Sequence, residues 1–145
     1  MKKIALLMVL MLASALVLQA RDKFAHDASV LPPAAQTVIK NNFKAKVSLV
    51  KIEKEFGRVD EYEVVLDDGS EISFDRNGNW RSVETSARKS VPEGFLTPMM
   101  RDYIKRNHPK AKVVGIEKDR NGYEVELSDG VEMKFNAAGQ FLRYD

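Results

Sequence analysis

His26 and His108 are the only imidazoles in a chain of 145 residues that has no cysteine. General acid–base catalysis requires a His held by a positioned partner. Neither His has a nucleophile, or a second His at metal-ligand spacing, near it in the sequence. His108 stands before Pro109, where its charge suits a helix C-terminus. The serines of the mature chain, Ser29, Ser48, Ser70, Ser73, Ser82, Ser86, Ser90 and Ser128, include none in a GxSxG setting, which excludes the serine-hydrolase elbow. Without cysteine there is neither a disulfide framework nor thiol chemistry. The run from Asp75 to Asn79, DRNGN, has acids and amides at alternate positions, as a calcium loop does at its start. Gly78 comes two places too early for such a loop, and no bidentate Glu closes it. A hairpin turn is the expected reading. These residues predict no enzyme, no cofactor and no metal site.

The remaining signal is a row of charges, and its placement depends on the elements around it. YEVVLDDGSEISFDRNGNW, from Tyr62, returns as YEVELSDGVEMKFNAAGQF, from Tyr123. Leu66 matches Leu127, Gly69 matches Gly130, Phe74 matches Phe135, Gly78 matches Gly139, and Trp80 matches Phe141. Upstream, IKNNFKAKV parallels IKRNHPKAKV, and IEKE parallels IEKD. Two copies, 31–84 and 91–145, are separated by a polar linker at 85–90.

Each copy opens with helical spacing, at 33–43 and 98–107. Thr97 before Pro98 is a helix start, since Thr caps free amides and Pro suits the first turn. His108 before Pro109 is a helix end. Afterwards the apolar period drops to two, as in strands with one wet face. Strands are expected at 46–55, 60–67, 70–75 and 79–84, then at 112–119, 122–128, 131–136 and 140–144. Three-residue loops ending in Gly keep the faces consistent. They pair Tyr62 with Phe74, Val64 with Ile72, Tyr123 with Phe135, Val125 with Met133, Phe74 with Trp80, and Phe135 with Phe141. The fold class is therefore α+β, a tandem repeat of helix-plus-four-strand units with the helices on one face of the sheets.

Strict alternation puts Tyr62, Tyr123 and Phe135 in the core. It leaves Glu63, Val65, Glu71, Ser73, Arg81 and Val83 on the solvent face of the first copy. Glu124, Glu126, Glu132, Lys134, Leu142 and Tyr144 fall on that of the second. None of the acids is expected to be buried, and Glu124 faces Lys134 across two strands. A solvated sheet face explains such a pattern. The functional alternative is an acidic platform with apolar points at Val65, Val83, Leu142 and Tyr144, suited to a protein loop or basic peptide.

Residues 1–20 have the layout of a secretory signal: Lys2 and Lys3, an apolar run from Ile4 to Leu18, and Ala20 at the cut. The run is shorter than the roughly 20 residues of a spanning helix. No stable membrane anchor is expected after cleavage, and residues 21–30 read as a loose N-terminal arm. The chain has 23 Lys and Arg against 21 Asp and Glu. Losing Lys2 and Lys3 makes the mature chain formally neutral, which removes the basic excess that nucleic-acid binding needs.

A signal peptide followed by two such units, each with a Y-E-V-x-L-x-D-G-x-x-x-x-F-x-x-x-G-x-[WF] run, resembles the PepSY-like, β-lactamase-inhibitor-like (BLIP-like) proteins. The resemblance implies a periplasmic or secreted, non-enzymatic module that binds an exported protein or peptide. Its narrower implication is inhibition of an exported peptidase or β-lactamase. A module sensing a small ligand, peptide or ion is the alternative.

Overall fold

The computed structural model describes residues 22–86 and 88–145; the expected signal segment lies outside them. Among the described residues, two α-helices and nine strands form an antiparallel α+β fold. The chain divides between Ser82 and Val83 into two compact units.

In the first unit, β1 (Lys23–Ala25) precedes α1 (Pro33–Asn42), then β2 (Val47–Glu55), β3 (Arg58–Leu66) and β4 (Glu71–Asp75); the division falls within the next strand, β5 (Trp80–Glu84). The stretch expected to be a loose arm is in part a strand. Phe24 pairs with Lys51 and Ala25 with Val50, and Asp27 caps a short 3-10 turn at Ala28–Val30. A three-residue strand is too short for sequence periodicity to reveal.

The second unit holds α2 (Pro98–Asn107), β6 (Val113–Asp119), β7 (Gly122–Leu127), β8 (Glu132–Asn136) and β9 (Phe141–Tyr144). Thr97 accepts a hydrogen bond from the Met100 amide at 3.2 Å, with Pro98 in the first turn. The His108 amide closes the helix by donating to the Ile104 carbonyl. The segment expected as a linker is tied into this unit: the Thr85 amide donates to the Val114 carbonyl at 2.9 Å, and the Val91 amide to Val113 at 2.7 Å.

Four turns obey one rule. The bonds Leu66 N–Ser70 O (2.8 Å), Asp75 N–Asn79 O (2.8 Å), Leu127 N–Val131 O (2.9 Å) and Asn136 N–Gln140 O (2.9 Å) each close a three-residue loop. The third loop residue is a left-handed glycine every time, with φ between 85° at Gly69 and 89° at Gly139. The resulting registers pair Tyr62 with Phe74, Val64 with Ile72, Tyr123 with Phe135, Val125 with Met133, and Phe135 with Phe141. Val64, Ile72, Phe74, Val125, Met133 and Phe135 are buried as a result. Tyr62 is buried, while Tyr123 is only half-buried and has the Lys118 ammonium 5.9 Å from its ring centre.

The helices meet their own units at recognisable points. A Cβ on Gly78 would stand 2.9 Å from both the Ala35 nitrogen and the Pro32 Cβ, so this turn abuts the start of α1. Gly139 abuts Thr97 at the start of α2. Tyr103 of α2 stacks on Phe141 at 4.3 Å and meets Phe135 edge-on at 5.8 Å, offset and T-shaped geometries that aromatic pairs favour.

Alternation breaks in β9. Lys134 pairs with Arg143 and Met133 with Tyr144, but Phe135 pairs with Phe141, so Leu142 is an extra residue in a bulge. In β5 the Ser82 hydroxyl lies 2.7 Å from that of Ser73, and Val83, next in sequence, is completely buried. Ser82 thus shares the outward face with Ser73, and Val83 stands on the opposite one.

Candidate functional site

The outward face of the first unit, opposite the side that carries Val50, Val64 and Ile72, concentrates acids around one cation. Lys51 and Glu53 of β2 project there, beside Glu61, Glu63 and Val65 of β3 and Glu71 and Ser73 of β4, as the registers Lys51–Glu63, Glu63–Ser73 and Val65–Glu71 require. The Lys51 ammonium, on a side chain only 8% exposed, lies 2.7 Å from Glu53, 3.7 Å from Glu63 and 3.8 Å from Asp22. Burial alone would lower its pKa, but the bond to Glu53 and the charges of Glu63, Glu53 and Asp22 raise it instead.

The carboxyls respond in the opposite sense. Burial, then the charge of Glu53, pushes Glu63 up to about 7, against the partly offsetting charge of Lys51. Burial alone pushes Glu71 up to about 7. Glu61 is raised by burial too, although Ser73 donates a hydrogen bond to it. Glu63 Oε2, 3.7 Å from the Lys51 ammonium, and Glu71 Oε2 are buried and accept no hydrogen bond. Half-buried carboxylates short of donors are a costly arrangement for a fold to keep.

The site expected from sequence is partly redrawn. Glu63, Val65 and Glu71 share the outward face. Arg81 is exposed. Val83 is completely buried, while Ser82, whose hydroxyl meets that of Ser73, takes the outward position beside it. Tyr144 also leaves the outward face: it pairs with Met133, and its hydroxyl bonds Tyr103 and His108 of the helix side at 3.0 Å each. Burial and the Tyr144 bond push the Tyr103 hydroxyl up to about 12. Leu142, the bulge residue, is exposed.

Glu124 does face Lys134 across the strands, and Lys134 also lies 3.7 Å from Asp145. Glu126 sits opposite Glu132, and Glu132 is buried, contrary to expectation. The Asp145 amide donates to the Glu132 carbonyl at 3.0 Å, so the chain end reaches Glu132. Lys51, Glu53 and Glu61 are site residues that the sequence reading missed. Their signal is the alternation of Leu49, Lys51 and Glu53, which continues the acidic face onto β2.

The oxygens of the Asp75 loop are spent on the turn itself. Asp75 Oδ1 accepts from the Asn77 and Asn79 amides at 2.9 and 3.0 Å. Asn136 does the same for Ala138 and Gln140 at 3.1 and 2.9 Å. Ser86 and Lys89 have SxxK spacing but lie exposed in a turn, where the Lys89 amide donates to the Ser86 carbonyl at 2.9 Å.

The chain belongs to the family described as "Putative beta-lactamase-inhibitor-like, PepSY-like", which matches residues 19–58 and 60–143. Solved structures similar to this chain include three from Bacteroides species. A putative periplasmic protein of unknown function from Bacteroides vulgatus is 37% identical, with a TM-score of 0.79 over 86% of this chain and 98% of that one. A putative calcium-regulated periplasmic protein from Bacteroides thetaiotaomicron is 36% identical, with a TM-score of 0.78 over 86% and 96%. A second putative periplasmic protein from Bacteroides vulgatus is 33% identical, with a TM-score of 0.77 over 87% and 98%. No functionally curated protein matches the chain. The chain is a periplasmic or secreted protein, like these relatives. Among its described residues, no helix is long and apolar enough to cross a membrane.

Proposed function

We propose that the chain is an exported, non-enzymatic binding module that takes a basic segment of a protein partner on the outward face of its first unit. Inhibition of an exported enzyme is the narrower form of this reading. The observation that carries it is the pair of buried, donor-poor oxygens on Glu63 and Glu71. A guanidinium or ammonium from a partner, approaching these half-buried carboxyls from solvent, lowers the cost of charging them. Lys51, held among Glu53, Glu63 and Asp22, is an internal example of such a cation.

The two units are copies of one helix-plus-four-strand module in this reading. Equivalent registers support it: Val47–Leu66 and Val50–Val64 in one, Val113–Leu127 and Ile116–Val125 in the other. Each is interrupted by a register shift at the same place, after Val47 and after Val113.

One relative is described as calcium-regulated, and Glu53, Glu61 and Glu63 offer oxygens within 4.8 Å of one another. These residues do not fit calcium. The Lys51 ammonium already stands 2.7 Å from Glu53 and 3.7 Å from Glu63, where a cation would have to sit. The binding reading is therefore preferred to ion sensing.

The test is calorimetric titration of an Arg- and Lys-rich peptide into the full exported chain at pH 8 and pH 6. Binding is expected at pH 8 and weaker binding at pH 6, where Glu63 and Glu71 hold protons. Glu63→Gln with Glu71→Gln should erase the difference. Equal binding by the double variant at pH 8 overturns the reading.

A further inference from the structure

Phe56 stands at the tip of the β2–β3 hairpin with 93% of its surface exposed. Its φ is 50°, the only positive value for a non-glycine among the described residues. A bulky side chain in that region is a steric outlier. With Gly57 at φ 76°, both central residues of the two-residue turn are left-handed, a geometry that favours Asn-Gly. Phe56 is thus unfavourable twice, as an aromatic ring in water and as a strained backbone position.

The second unit is an internal control. There Asp119 pairs with Gly122 as Glu55 pairs with Arg58, so the β6–β7 turn also has two residues, Arg120 and Asn121. Neither has positive φ. Asp119 Oδ1 accepts from the Asn121 and Gly122 amides at 2.7 and 3.1 Å, which secures the turn with polar groups alone. Closing this hairpin does not require an aromatic residue.

We propose that Phe56 is an aromatic anchor that enters an apolar pocket, rimmed by carboxylates, on a protein partner. Arg58 and Arg76 flank the tip and are exposed; Arg76 has only a 3.9 Å approach to the half-exposed Asp60. They are placed to meet the carboxylates of the rim. Glu55 and Asp60 border the same tip and balance the two guanidiniums, so a uniformly anionic lipid surface gains nothing there, whereas a shaped protein rim can set its carboxylates against Arg58 and Arg76 alone. Exposed aromatics that become buried tend to dominate interfaces. The proposal rests on the protein-binding reading above but uses residues separate from its acidic face.

The first arm of the test needs no partner. Phe56→Asn in the full chain should melt at a higher temperature than the wild type, because Asn-Gly suits the turn. A lower melting temperature would make Phe56 a residue of the fold and overturn the proposal. In the second arm, a photo-reactive benzoyl-phenylalanine at position 56 in producing cells should give one discrete protein adduct, and at position 120 none. The protein so trapped, once purified, should bind Phe56→Asn at least tenfold more weakly than wild type, and bind Phe56→Trp normally. A lipid adduct, no adduct, or equal binding by Phe56→Asn overturns the anchor. If binding fails instead with the Glu63 and Glu71 double variant and survives Phe56→Asn, the anchor falls and the acidic face stands. The reverse result removes the acidic face and keeps the anchor.

Discussion

The Tyr144 hydroxyl lies 3.0 Å from Nε2 of His108, so the last strand is fastened to the end of α2 from the core side. The bulge at Leu142 makes this possible. It returns Tyr144 to the face of Met133 and Phe141 and gives the outward position to Arg143. Tyr103, Phe141, Tyr144 and His108 then form one aromatic group, with ring centres 4.3 to 5.7 Å apart in successive contacts.

Tyr144→Phe keeps the ring contacts and removes a hydroxyl that meets both Tyr103 and His108. Urea denaturation should show a loss of about 1 kcal/mol, the scale of a net hydrogen bond. Binding through the outward acids should not change. A tenfold loss of peptide affinity in this variant would return Tyr144 to the binding surface.

Much of the fold is legible in the sequence because two local signals agree there. Glycines such as Gly69 and Gly130 fix the loop length, and the alternation around Val64 and Ile72 then admits one register. The helix bounds at Thr97 and His108 follow from cap and proline chemistry alone. What alternation cannot reveal is an extra residue. Nothing in FLRYD marks a bulge, and nothing in WRSVE marks Val83 as inward; both residues read as outward, whereas Val83 is buried and Tyr144, about half-exposed, lies on the helix side. Burial of Glu132 and half-burial of Glu63 and Glu71 depend on neighbours brought in by tertiary structure, including Lys51 of β2. Phe56 draws no expectation from the sequence, because its strain appears only in the backbone angles.

Phe135 is 1% exposed and meets both Tyr103 and Phe141 edge-on. Phe135→Ala should destabilise the chain by roughly 3–5 kcal/mol, the range for buried Phe truncation. An unchanged thermal midpoint would put this side chain outside the core.

Gly139 and Gly130 separate backbone strain from packing. Their φ values are 89° and 87°, so an alanine at either should meet a similar left-handed penalty of roughly 1–2 kcal/mol. At Gly130 a new Cβ has nothing within 4 Å, whereas at Gly139 it collides with Thr97, the cap of α2. Gly139→Ala should therefore be the more damaging, and it should reduce helical circular dichroism before the global transition. Equal losses would mean that the turn and the helix cap are not in contact in solution.

Glu71 tests the electrostatics of the acidic face without any partner. Its pKa is raised from 4.5 to about 7 by burial. In the window between those values the folded chain holds a proton that the unfolded chain has released. The unfolded state then binds fewer protons, so this carboxyl makes stability fall as pH rises across the window. Above about pH 7 the folded state carries a half-buried charge, and below 4.5 the group is neutral in both states. Glu71→Gln removes the titration while keeping the shape. The variant should match the wild type in thermal midpoint at pH 4.5 and exceed it at pH 8, with the gap opening between pH 5 and 7. A gap of the same size at every pH would show that Gln acts by packing or by a new hydrogen bond. No gap at pH 8 would show that the Glu71 carboxylate is well solvated, and the donor-poor face proposed as the binding surface would lose one of its two members.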